Sequence, residues 1–226
     1  MNYSRILFTP DGNPITPDKI REKIVQFEDS YKNTTQQIIE YSKKLDKDGK
    51  TFVKCSSLIL SNFGMTRSGP FKKDEKVGER LLKCWNVVGA SLIDIKHSIV
   101  ESGRSRDRFL LESEQIQREK IITEVWLIMK QLLPFTMGQT TFGLVGASKI
   151  LFSVLPEIVL PIDNIQWLRV FKTVDIGDVI RGMVFDIQRW ENATGKHLNE
   201  MDSSKRLTTL PSVYNVMAMA ARAKYK

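Results

Sequence analysis

The spacing of apolar residues is the feature that most constrains the fold of this chain. Leu81, Trp85, Val88, Leu92, Ile95 and Ile99 recur at alternating intervals of four and three, which places them on one face of an α-helix. Alternating apolar runs of strand length are scarce outside the N-terminal stretch. The sequence therefore predicts an all-α fold, a multi-helix globular domain with about seven to nine helices.

The same pattern divides the chain into segments. A first helix is expected from Thr16, the N-cap before Pro17, to the Asp48-Gly49 turn. Further helices are predicted at about 52–61, 78–101, 112–133, 146–155, 163–173 and 175–195, with a last one from 212 onward. Two basic loops, 62–76 and 102–108, interrupt them. At 226 residues the chain is long enough for a single helical domain over 1–226, organised as one unit or as two lobes of about 1–110 and 111–226.

The charge balance and the cysteine and histidine content limit which kinds of binding partner and metal site are expected. The 34 Lys and Arg residues exceed the 26 Asp and Glu residues and leave a net charge of +8, which favours a polyanionic partner, nucleic acid first. Cys55, Cys84, His97 and His197 show none of the close spacings of metal sites, so no metal and no cofactor is expected. No secretory signal and no run of about 20 apolar residues is recognisable, so a cytoplasmic protein without a membrane partner is expected.

One segment concentrates the residues suited to chemistry. The stretch FGLVGASKILFSVLPEIVLPIDNIQWLRVF, residues 142–171, is mostly apolar but contains Lys149 and Asp163. Gly143 and Gly146 are spaced to form a tight turn between two helices, because glycine accepts positive φ and a close backbone approach. Backbone amides at the start of the second helix, from about Gly146 to Lys149, would then face outward and hold a phosphate.

These residues resemble the helix-hairpin-helix DNA glycosylases, including the 8-oxoguanine glycosylase-like and endonuclease III-like branches. LVGASK resembles the glycine hairpin of that family with its nearby lysine, and LPIDNIQWLRV resembles the segment that contains the family's aspartate. Pro161, Asp163 and Arg169 stand where that pattern has them. Ser148 occupies the position at which the family lysine usually stands, and Lys149 follows it. The likeness covers residues 142–171 and implies a helix-hairpin-helix-like element there.

The resemblance implies a DNA glycosylase, with or without AP-lyase activity, that flips a damaged or mispaired base out of double-stranded DNA and removes it. Lys149 would attack C1′ of the sugar, and Asp163 would stabilise the oxocarbenium-like sugar. Phe142 and Trp167 would stack on the flipped base. The residues expected to hold the DNA backbone are Gly143, Val145, Gly146 and Ser148 in the hairpin and Arg67, Lys72, Lys73, Arg104 and Arg106 in the basic loops. The implied location is cytoplasmic and nucleoid-associated.

Simpler interpretations of the same residues stay open. An aspartate before NIQWLR is typical of a helix N-cap, and a lysine in the first turn of an apolar helix can extend its ammonium group to solvent. Tryptophans on apolar stripes are usually core residues. The alternative function is therefore a non-catalytic helical module that binds nucleic acid or a protein, for example in phage defence.

Overall fold

The computed structural model describes residues 6–31, 34–67, 69–105 and 108–222. Within these ranges the regular structure is helical, and the strand-like pairing is limited to an isolated antiparallel bridge between Phe8 and Pro14. The predicted all-α class is confirmed. The α-helices are α1 (Pro17–Phe27), α2 (Thr34–Ser42), α3 (Lys50–Asn62), α4 (Val77–Glu101), α5 (Phe109–Glu112), α6 (Gln115–Leu132), α7 (Thr141–Val154), α8 (Ile176–Thr194) and α9 (Leu210–Arg222). Glu28–Tyr31, Leu133–Phe135 and Leu198–Met201 are 3-10 turns, and Gln166–Phe171 is a short π-helix.

The first predicted helix is wrong in length. Instead of running from Thr16 to the Asp48-Gly49 turn, the chain forms α1, a 3-10 turn and then α2. The apolar residues that suggested one helix, namely Ile20, Ile24, Tyr31 and Ile38, are all buried. They lie in separate helical segments with different packing partners, since α1 packs on α9 whereas α2 packs on α3 and α7. A spacing of seven residues fits a continuous helix and a broken one equally well, so the pattern did not reveal the break.

The other long helices lie close to their predicted positions. The ends of α8 illustrate why, since both are local in sequence. The Asp175 carboxylate accepts hydrogen bonds from the amides of Gly177 (2.6 Å) and Asp178 (3.3 Å) at the start of α8. Gly195 adopts a φ of +64° and ends the helix. Across the described ranges, the helices are too short or too polar to cross a membrane.

Helix α7 lies at the centre of the core. Its residues from Gly143 to Val154 are all buried, as expected of a helix that is enclosed on every side. It packs against α2, α3 and α6, and a hydrogen bond of 3.0 Å joins the hydroxyls of Ser56 on α3 and Ser153 on α7. Buried apolar side chains from Ile6 to Ala218 form one cluster around it. The segment with the candidate chemistry is therefore part of the core.

Candidate functional site

The turn that precedes α7 lies at 136–140, not at the predicted Gly143 and Gly146. Met137 and Gly138 adopt positive φ values of 84° and 67°, and the Thr140 hydroxyl caps α7 by accepting from the Gly143 amide at 3.1 Å. Gly143 and Gly146 lie inside the helix. A Cβ at Gly143 would overlap the Gly138 carbonyl oxygen. This glycine is needed because the turn packs directly onto the first helical turn of α7.

The DNA contacts predicted for the hairpin are not available in this arrangement. Gly143, Val145, Gly146 and Ser148 are buried within α7, where the Gly143 amide donates to the Thr140 cap and the later amides are used by the hydrogen bonds of the helix, so they do not face a phosphate. The Ser148 hydroxyl lies within hydrogen-bonding distance of the carbonyls of Val145 (3.0 Å) and Ile162 (3.2 Å). Ser148 therefore joins α7 to the segment that leads into Asp163, which is a structural role.

Lys149 is a buried lysine. Its side chain lies in the core-facing part of α7 and the residue is 5% exposed. Burial lowers the pKa of Lys149 from 10.5 to about 8, partly opposed by attraction to the Asp163 carboxylate, since removal from water disfavours the charged form. The Phe63 ring lies 5.2 Å from the Lys149 Nζ, and among the ion pairs of the described residues none includes this lysine. An ammonium group here is costly, and a neutral amine is accessible near neutral pH.

Asp163 begins the helical segment that follows Ile162. Its carboxylate accepts from the Gln166 amide at 3.0 Å, and the Gln166 side-chain oxygen accepts from the Asp163 amide at 2.8 Å. This reciprocal pair is a capping box. The other carboxylate oxygen accepts from the Arg222 guanidinium in an ion pair. Asp163 is thus both an N-cap and the counter-charge shared by Lys149 and Arg222.

A buried polar network supports the capping box. The Gln166 side-chain amide donates to Asn215 at 2.8 Å, and Asn215 donates to the Tyr31 hydroxyl at 2.8 Å. The Tyr31 ring packs edge-on against Phe63 with centroids 5.6 Å apart. Burial raises the pKa of Tyr31 well above its usual value, partly offset by the hydrogen bond from Asn215. The network holds Gln166 against α9, and Gln166 in turn forms the capping box with Asp163.

Some of these residues had a sequence signal and others had none. The aspartate and glutamine three positions apart at 163 and 166 form a capping-box pattern that is legible in the sequence. Tyr31, Asn215 and Arg222 come from α9 and from the turn after α1. Their place at the site depends on the packing of those elements, which no local pattern predicts.

The two predicted stacking residues have different surroundings. Phe142, in the first turn of α7, is 58% exposed and is available to a ligand. Trp167 is fully buried, so no face of its indole ring is open to a base in this structure. Its indole Nε1 has no hydrogen-bond partner among the described residues. Trp167 lies in the π-helical turn and serves as a core side chain.

The basic loops differ in how their cations are engaged. Arg67, Lys72 and Lys73 are exposed. Arg104 is half-buried and its guanidinium lies 3.5 Å from the Gln117 side-chain oxygen, and Arg106 lies outside the described residues. In the part of the chain that the structure describes, no group of three or more His, Cys, Asp or Glu side chains could hold a metal ion.

The site therefore brings together Lys149, Asp163 and Arg222 at the junction of α7, the capped π-helical segment and α9. It can present a neutral amine within the electrostatic influence of a carboxylate, which suits nucleophilic attack on an electrophilic carbon. Comparison of the chain with protein-family models, curated proteins and solved structures yielded no match.

Proposed function

We propose that this protein is a DNA glycosylase with AP-lyase chemistry that acts on a damaged or mispaired base in double-stranded DNA. The observation that carries the proposal is the buried Lys149, whose pKa burial lowers to about 8 although the charge of the Asp163 carboxylate opposes the shift. At pH 7.5 roughly a quarter of such a lysine is free amine, against about one part in a thousand for an ordinary lysine. The free amine is the nucleophilic form.

The chemistry assigns one role to each of the two side chains. The Lys149 nitrogen forms a bond to C1′ of the deoxyribose, and the N-glycosidic bond breaks with its electron pair leaving on the base. Opening of the sugar ring gives an iminium between Lys149 and C1′, and loss of a C2′ proton then expels the 3′ phosphate. The Asp163 carboxylate stabilises the positive charge that develops on the sugar.

Access to Lys149 requires a local opening, because the residue is only 5% exposed. Phe63 is the half-buried ring next to Nζ and begins the turn that follows α3. Arg222 lies near the end of α9 and pairs with Asp163. A substrate phosphate can compete for Arg222, which would free the Asp163 carboxylate to face the sugar. Exposed Phe142 supplies an aromatic face for a flipped base.

Borohydride trapping on duplexes with single lesions and with an abasic site tests the proposal. Wild-type protein is expected to release a base and to form a covalent complex that maps to Lys149 by peptide mass spectrometry. Lys149→Gln should abolish trapping. Lys120→Gln is the matched control at an exposed lysine of α6 and should leave trapping unchanged. A complex that maps to surface lysines, or that survives Lys149→Gln, contradicts the proposal, because basic proteins react unspecifically with abasic sites.

Asp163→Asn separates the chemical role of the carboxylate from its structural role. Asparagine retains N-capping ability, so the fold should persist, while the charge beside Lys149 is lost. Base release should fall by about 100-fold or more. An unchanged rate with normal folding would assign Asp163 to capping alone.

The contacts of Asp163 favour a second candidate, a non-catalytic helical module that binds nucleic acid. The capping box with Gln166 and the ion pair with Arg222 give Asp163 a complete set of structural partners. The net charge of +8 suits a polyanion. Salt-dependent DNA binding without base release from any lesion would support this candidate over the first.

A further inference from the structure

A cavity of about 490 Å³ lies beside α3 and shares no lining residue with the cluster of Lys149, Asp163 and Arg222. Four of its lining residues, Lys54, Ser57, Leu58 and Ser61, recur at intervals of three, one and three along α3, so they form one face of that helix. The opposite face of α3, which includes Phe52, packs in the core. The cavity is therefore walled by a rigid element, and its volume is within the range of small-ligand sites.

The lining combines an apolar wall with polar groups. Leu60 is buried, and Leu58 and Val77 are half-buried. Gln37 and Tyr41 reach the cavity from α2, one helical turn apart. Such an apolar surface with a few convergent polar groups is typical of a site for a small organic molecule.

The charges at the cavity are all positive. Lys54 and Lys73 line it, and no Asp or Glu is among the lining residues. The Lys54 Nζ lies 3.4 Å from the centroid of the Tyr41 ring, a cation–π contact that holds the ammonium at the wall. Asp74, the carboxylate that follows Lys73, pairs instead with Arg80 at 2.9 Å. Among the ion pairs of the described residues none includes Lys54 or Lys73, so both ammonium groups can meet an anion.

Hydroxyl groups and a closed loop complete the site. Ser57, Ser61 and Thr66 contribute three hydroxyls to the lining. The Lys73 amide donates to the Thr66 carbonyl at 3.0 Å, which holds these two lining residues together. Two ammonium groups with several hydroxyl donors match a phosphate monoester, whose oxygens accept many hydrogen bonds.

We propose that this cavity binds a nucleoside monophosphate, with its phosphate at Lys54 and Lys73 and its base against the apolar wall formed by Leu58 and Val77. The proposal does not depend on glycosylase activity, because it uses none of the residues at Lys149. Binding here and base release at Lys149 can each fail without the other. The ammonium groups attract the phosphate, and the apolar wall contacts the flat base. Neither inorganic phosphate nor the nucleoside alone should therefore bind well.

Isothermal titration calorimetry with dAMP, deoxyadenosine and inorganic phosphate tests this expectation. Deoxyadenosine and phosphate should each bind at least about tenfold more weakly than dAMP, which is the loss expected for one charge-assisted hydrogen bond or more. Lys54→Gln and Lys73→Gln should each weaken dAMP by about tenfold, and Lys54→Arg should retain binding. The control Lys120→Gln should have no effect. Lys73 is exposed and lies on a loop, so its variant should remain folded.

Three outcomes would overturn the proposal. The first is equal binding of dAMP and deoxyadenosine, which would show that the phosphate contributes nothing to binding. The second is an equal loss in Lys54→Gln and the control Lys120→Gln, which would show unspecific attraction to a basic surface. The third comes from a 5′-phosphorylated oligonucleotide used as competitor. If it binds more tightly than dAMP and displaces it, the site reads a DNA strand end rather than a free nucleotide.

Discussion

Replacement of Lys149 by methionine should stabilise the protein at neutral pH. Methionine keeps the apolar stem of lysine but removes an ammonium group that is almost fully buried. The pKa of Lys149 is lowered from 10.5 to about 8, and one pH unit corresponds to about 1.4 kcal/mol. The free energy of unfolding of Lys149→Met should therefore exceed that of the wild type by about 3 kcal/mol near pH 7.

The sign of the pH dependence follows from proton binding. Between pH 8 and 10.5, the two pKa values of Lys149, the unfolded chain holds a proton that the folded chain has released. The stability of the wild type should therefore rise with pH in this window relative to Lys149→Met. The difference between the two proteins should be largest below pH 8 and should vanish by about pH 10.5.

Urea unfolding followed by tryptophan fluorescence measures this difference from about pH 7 to about pH 10, with Lys120→Met as the exposed control. The control should differ from the wild type by less than about 0.5 kcal/mol at every pH. If Lys149→Met is less stable than the wild type, or if the difference does not change with pH, the ammonium group is well paired. Lys149 would then not supply a nucleophilic amine near neutral pH.

Three further predictions concern the core. Lys96, 4% exposed, and Glu157, 2% exposed, form a buried ion pair at 3.2 Å. Lys96→Met alone should lower the free energy of unfolding in urea by about 3–5 kcal/mol, because it leaves the Glu157 carboxylate buried without its partner. The double variant Lys96→Met with Glu157→Leu should recover most of this loss. Burial raises the pKa of Asp186 to about 6, partly offset by hydrogen bonds from Leu7 and Tyr214. The folded state then holds a proton that the unfolded state has lost between pH 3.8 and about 6, so stability should fall as pH rises through this window, and Asp186→Asn should remove that dependence. Gly143→Ala should lower the melting temperature and cost about 2 kcal/mol, because its Cβ meets the turn at Gly138. Gly146→Ala, whose Cβ lies 3.3 Å from the Thr136 side chain, should change stability by less than about 1 kcal/mol. Equal effects of the two substitutions would contradict this difference in packing.

The glycines of α7 show where a local pattern misleads. Two glycines three residues apart suit a turn and suit a close helix contact equally well. Only the position of the 136–140 turn against Gly143 decides between them. The same limit applies to Trp167, because an apolar stripe does not say whether a ring will face a partner helix or a ligand.

The two charged residues of the segment differ in how far the sequence could predict them. The N-cap role of Asp163 follows from its place before a helix and from Gln166 three residues later, and the structure shows this cap. The sequence could not predict the burial of Lys149, because a lysine in an apolar helix can lie at the surface or in the core. Its burial results from α7 being enclosed by α2, α3 and α6.

The sequence by itself determined the helical class and the approximate positions of most helices, since apolar periodicity, N-caps such as Asp175 and C-caps such as Gly195 act within a few residues of chain. The tertiary structure decided which side chains those helices bury or expose. It divides the first predicted helix into α1 and α2 and buries Gly143, Gly146 and Trp167. It also joins Arg222 to Asp163, 59 residues apart in the chain. The physical reason is that burial and ion pairing depend on which elements pack together, and burial is what lowers the pKa of Lys149.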